Sequence, residues 1–181
     1  MKKFKLTSEF IVDISGVKLF RIKALIEFGN VKAGDLGGYI EKEENLSHMG
    51  NAWVSGNARV SGNARVSSNA RVSGDAQVFG DARVSGNAQV FGDARVSGDK
   101  DYAYAHGFGS CNRTTTFFRL KDGDVGVRCG CFYGTLAQFR DNVCETHGET
   151  KKAQEYLMLA DLMELRFEED ENEAGNRKYV E

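Results

Sequence analysis

The chain has 181 residues, 41% hydrophobic and 28% charged, with 21 glycines and no proline. That length holds one ordinary domain or two small ones, and the balance excludes a chain disordered throughout. A formal net charge of -2 and a pI near 6.0 argue against a protein that coats long nucleic acid, while leaving room for local basic patches.

The N-terminus, Met-Lys-Lys-Phe-Lys-Leu-Thr-Ser-Glu, has no apolar leader core, and no later run reaches the length of a membrane span. A cytosolic protein without membrane contact is expected. Residues 4–28 alternate: Phe10, Val12 and Ile14, a Ser15-Gly16 turn, then Phe20, Ile22, Ala24 and Ile26. This pattern predicts a β-hairpin, and a hairpin within 1–33 would cap whatever follows. The glycine-rich stretch 34–40 fits neither the dinucleotide fingerprint nor the Walker lysine motif, so a phosphate loop is not expected there. Ile40 and Leu46 stand six apart, which suggests an irregular first coil joining the next region after a two-residue slip.

Over 50–98 one six-residue phrase recurs eight times, with Ala at 52, 58, 64, 70, 76, 82, 88 and 94 and Val two places after each. Such a strict period is a solenoid signal. Residues two apart on a strand share a face, so Ala and Val point inward together and the Arg or Gln between them points out. Gly at the fifth place and Asn or Asp at the sixth tolerate positive φ, so each phrase ends in a corner. Three corners close an eighteen-residue triangle, and triangles stack about 4.8 Å apart. The predicted architecture is mainly β, a parallel β-helix of about three coils over 34–109 including irregular end coils.

The phrase resembles the hexapeptide repeat of left-handed parallel β-helices, known from trimeric acyltransferases and related carbonic anhydrases. It departs from that family in placing Ser or Phe directly after Val, with Gly next. The left hand is what the resemblance implies; periodicity alone also allows a right-handed solenoid.

Positions eighteen apart should form three outer columns: Trp53, Arg71 and Gln89; Arg59, Gln77 and Arg95; Arg65, Arg83 and Asp101. Stacked arginines repel and need an offset. Corner acids supply one answer, since Asp81 and Asp93 precede Arg83 and Arg95 by two places; an anionic ligand or partner supplies the other. Arg59, Arg65 and Arg71 each follow an Asn corner instead, so with Trp53 they are the candidate binding residues, suited to an acidic protein patch or a small nucleotide. Phe79 and Phe91 replace Ser at outward places and ask for a cover, which makes them candidates for a homotrimer seam. The repeat then decays through Tyr102 and Phe108, with Lys100 and His106 at the inward Ala places.

Residues 110–167 change period and predict a C-terminal α+β part. A hairpin is expected from 114–120 and 125–132 around Lys121-Asp122-Gly123-Asp124. Thr135 with Gln138 forms a capping box for a helix bearing Leu136, Phe139 and Val143, and a second helix over 151–167 carries Tyr156, Leu157, Ala160, Met163 and Phe167, with Leu159 and Leu162 widening the stripe. An acidic, disordered tail is expected over 168–181. The phrases at 31–40, 114–119, 129–136 and 145–148, which bracket the repeat, resemble those of uncharacterised phage and prophage proteins; this implies such an origin and no chemistry.

Cys129, Cys131, Cys144 and His147 have a metal-like look, but strand alternation and the apolar stripe predict buried reduced thiols, and no metal or other cofactor is expected. Cys111 lacks a readable base. An acyltransferase would need a general-base His on the solenoid, where the eight phrases contain none; His48 and His106 flank them. Three histidines for a carbonic anhydrase zinc are likewise missing from the repeat. The expected function is therefore a non-enzymatic phage or prophage binding protein, an inhibitor of a host defence or another host factor. A divergent transferase and a virion component are the alternatives. Should the wall not bind, His106, Arg113 and Arg119 on the C-terminal cap are the next candidates.

Overall fold

A computed structural model of the chain describes residues 1–109 and 112–168. Strands β1 (Phe4–Val12) and β2 (Lys18–Ala24) form the expected hairpin, turning at Asp13, whose carboxylate accepts the Ser15 and Val17 N–H groups at 2.9 Å each. Strand β3 (Leu36–Ile40) pairs antiparallel with β2 and parallel with β5 (Arg59–Val60), so the cap extends one sheet of the solenoid. The buried face differs from the expected one. Phe4, Ile22 and Ala24 join the solenoid core, whereas Phe10, Val12 and Ile14 at the hairpin tip are exposed.

Eight two-residue strands make the solenoid: β4 (Trp53–Val54), β5, β6 (Arg65–Val66), β7 (Arg71–Val72), β8 (Gln77–Val78), β9 (Arg83–Val84), β10 (Gln89–Val90) and β11 (Arg95–Val96). Pairing is parallel and eighteen apart throughout: β4 with β7 and β7 with β10; β5 with β8 and β8 with β11; β6 with β9. Every Ala and Val of the phrases is buried. Positive φ falls on the fifth place alone, and where Ser68 stands in for glycine it adopts φ 59 itself. The sixth-place residues serve otherwise, in amide ladders such as Asn51 to Asn69 to Asn87. The first coil shows its slip directly, because Ile40 pairs with Val60 and Leu46 bridges Val66, twenty residues on in each case.

A stack of coils leaves polar backbone groups at both ends, and these must find partners. Inside the stack, the Ala carbonyl of one coil accepts the N–H of the outward residue in the coil before, as Ala70 does from Trp53. For the first coil the cap supplies the donors: the Tyr39 N–H for Ala58, Lys3 Nζ for Ala52 at 2.8 Å and Asn45 Nδ2 for Ala64 at 2.8 Å. At the other end, Arg83 and Gln89 donate their N–H groups to Asp99 Oδ1 and Thr116 Oγ1.

After a short turn at Asp99–Asp101, residues 102–108 are not a decaying coil. They form β12 (Tyr102–Phe108), the edge of an antiparallel sheet completed by β13 (Arg113–Arg119), β14 (Val125–Cys129) and β15 (Phe132–Thr135). Alternation over seven residues suits a long antiparallel strand better than a two-residue coil edge. The second arm of the expected hairpin breaks at Gly130, φ 60, giving two strands. Helix α1 (Leu136–His147) starts at the predicted capping box, with the Gln138 N–H donating to Thr135 Oγ1 and the Thr135 N–H to Gln138 Oε1. Helix α2 (Lys151–Phe167) packs beside it over the sheet; its buried face is Ala153, Tyr156, Ala160, Met163 and Phe167, while Leu162 is exposed. The tail beyond Glu168 and Cys111 lie outside the described residues.

Candidate functional site

Stacking eighteen apart sorts the arginines by face. Arg59 lies with Gln77 and Arg95, Arg71 with Trp53 and Gln89, and Arg65 with Arg83, so Arg59, Arg65 and Arg71 occupy three sides of the prism and form no common patch. The structure brings together a different pair. Arg65 and Arg83 are direct parallel neighbours, both exposed, on the floor of a groove of about 1190 Å³. Ser67 and Ser85 line it further, together with the turn at Glu43–Asn45, His48 and Asp81.

Among the described residues neither arginine forms an ion pair, and the same holds for Arg59, Arg71 and Arg95. The corner acid expected to neutralise Arg83 makes no close ion pair with it; Asp81 accepts the Asn63 amide at 3.1 Å and keeps its charge beside the groove. Glu43 is taken as well, by Lys2 at 2.9 Å and His48 at 2.6 Å, and these contacts, Lys2 first, hold its carboxyl below the usual range. Two guanidinium groups one strand spacing apart thus line the groove outside any close ion pair, in the company of the Glu43, Glu44 and Asp81 carboxylates.

His48 is a structural residue. Its Nδ1 accepts the Lys3 N–H at 3.1 Å, which places the proton on Nε2, where Glu43 receives it; the ring also stacks on Phe4. Both nitrogens are engaged, so a general base is not on offer there. His106 does not point into a coil: it is exposed on β12, bonded through Nδ1 to Thr114 Oγ1.

The remaining candidates have structural duties. Trp53 is buried, edge-on to Phe28 and against Gly37, and offers no stacking plate. That contact also accounts for the glycines of β3, because a Cβ at Gly37 would lie 2.7 Å from the Trp53 ring and one at Gly38 2.6 Å from the Ala58 carbonyl oxygen. Phe91 is covered within the chain by the Tyr133 ring at 5.0 Å and the Arg128 guanidinium at 4.8 Å, and Phe79 by Arg95 at 5.6 Å. These covers stand where a trimer seam was expected. Arg119 donates to the Phe167 carbonyl at 2.8 Å, tying down the end of α2, and Arg113 lies over Gly130.

The thiols correct the expectation of burial. Cys131 sits in the turn after β14 and is exposed, Cys144 is exposed on α1, and Cys129, half-buried, accepts from Thr115 Oγ1. His147 stacks on Tyr156. Among the described residues no three His, Cys, Asp or Glu side chains converge as metal ligands.

Residues missed in the sequence are Lys3 and Asn45, which complete the first coil. No periodic signal marks either. Arg83 was legible as the neighbour of Arg65 in the third column, but the acid two places before it suggested a pairing that the fold does not make.

The chain matches the family described as YdcK Beta solenoid repeat over residues 52–68, 76–90 and 88–99, within the stacked coils. None of the curated proteins compared with the chain matches it. The protein is a β-solenoid protein of about three coils, with an N-terminal strand pair and a C-terminal part of one sheet and two helices. Among the described residues no helix is long and apolar enough to cross a membrane.

Proposed function

We propose that the chain is a non-enzymatic binding protein of the hexapeptide-repeat kind, coiled in the left-handed sense, whose β6–β9 face grips an anionic group on its partner. The observation that carries this reading is the stacking of Arg65 on Arg83 with neither guanidinium held in an ion pair among the described residues. Guanidinium pairs of this kind suit carboxylate or phosphate, which they bond bidentately. The phage and prophage resemblance of the flanking phrases supports a host protein with an acidic patch, or a small nucleotide signal, as the partner, and inhibition of a host defence as the outcome. Cytoplasmic action in the bacterial host follows from the same reading. Catalysis by a divergent transferase is disfavoured at His48, the histidine of this groove, since both its ring nitrogens are engaged.

The test is capture from host lysate with the parent protein and with Arg65→Glu/Arg83→Glu. A stoichiometric protein or a bound nucleotide, retained by the parent and lost by the double variant at unchanged melting temperature, supports the proposal. Retention by both removes the site from this face, and turnover of an acyl carrier would replace binding by catalysis.

A further inference from the structure

Helix α2 is apolar on two opposite sides. One side is its buried face; the other carries Met158, Leu162 and Leu165, exposed by 70%, 54% and 68%. Their spacing of four and three residues aligns them in one stripe along the helix, about 170° from the buried face at 100° per residue. A helix apolar on both faces is built for two neighbours, and the chain itself supplies one.

We infer that the second neighbour is the α2 stripe of another copy of this chain, packed antiparallel about a twofold axis. Charge on the helix argues for a self-partner. Glu155 and Arg166 flank the same side of the stripe, and among the described residues neither is held in an ion pair; Arg166 donates to the Asp99 carbonyl. When Met158 lies opposite Leu165 of the second copy, each Glu155 comes about 3 Å along the axis from an Arg166 of the other. Two ion pairs form and no like charges meet on that side. On the opposite flank Arg140 is shared between Asp161 and Glu164, which lessens but does not cancel the repulsion between the two copies there. The helix dipoles also run antiparallel.

The stripe is short against an ordinary dimer interface, so association is concentration-dependent, with a midpoint on the order of tens of micromolar. Sedimentation equilibrium on the full chain, from about 1 to about 300 µM, reads it directly. The mass should rise from one chain toward two. Leu162→Lys, at a position exposed in the monomer, should move the midpoint up at least about tenfold without changing the circular dichroism. Glu155→Arg and Arg166→Glu should each weaken the dimer, and the two together should restore it. A parent that stays monomeric, a trimer, a dimer indifferent to Leu162→Lys, or two charge reversals that fail to rescue each other would overturn the inference.

Discussion

The Lys3 ammonium reaches the mouth of the first coil and donates to the Ala52 carbonyl at 2.8 Å, in the place where every later coil receives a backbone N–H. It also approaches the Gly50 carbonyl at 3.3 Å and lies over the Phe28 ring at 4.7 Å. Burial pushes its pKa down from 10.5 to about 8. Below pH 8 folded and unfolded chains both carry the charge, and the folded state bears the full cost of burying it. Between about 8 and 10.5 the unfolded chain holds more protons, so stability rises with pH, by up to roughly 3 kcal/mol. Urea midpoints at pH 7.5 and pH 10 should show the parent gaining relative to Lys3→Met; parallel profiles would mean that Lys3 is not buried as a cation.

Ser68 is the one place in the repeat where a side chain sits on a left-handed corner, φ 59. The other corners of this kind are glycine, for which the conformation carries no steric penalty. Ser68→Gly should stabilise the solenoid by about 0.5–1 kcal/mol, the relief of strain exceeding the added freedom of the unfolded chain. Thermal melts of the two proteins decide it, and a loss of stability would show that the serine hydroxyl contributes more than its backbone costs.

What the sequence made legible is what repeats. Ala and Val at period six announce the inward face, and the six-residue gap from Ile40 to Leu46 announces the slipped first coil, because burial in a stack leaves the same mark every turn. The capping box at Thr135 was local and equally readable. Features made once were hidden: the Lys3 plug, the Tyr133 and Arg128 cover on Phe91, and the use of residues 102–108 as a sheet edge depend on distant segments meeting. The candidate site was half visible. Columns eighteen apart placed Arg65 beside Arg83, but grouping arginines by neighbouring phrases mixed three faces of the prism.

Val72 occupies the middle coil and is fully buried between Val54 and Val90 in its column. Val72→Asp places a carboxylate where no donor can reach it, at a cost on the order of 4 kcal/mol or more, comparable with the stability of a small domain. The variant should lose the cooperative melt and the β signal in circular dichroism. A melting temperature equal to the parent's would mean that Val72 does not face inward.

The stack of Arg65 on Arg83 should be visible in stability as well as in binding. Like charges directly opposite on paired strands are destabilising, and the repeat itself places Gln at the same outward position in Gln77 and Gln89, so glutamine fits the wall. Arg83→Gln should therefore raise stability by a few tenths of a kcal/mol at low salt, a gain that fades toward 1 M salt, where the screening length is about 3 Å. The same change should weaken capture of an anionic partner, since one half of the guanidinium pair is gone. Stability and binding would then move in opposite directions on one substitution, the mark of a charge kept for its partner. If Arg83→Gln lowers stability at low salt, the arginines are compensated in solution by groups of the chain itself, and the β6–β9 groove loses its claim to the anion.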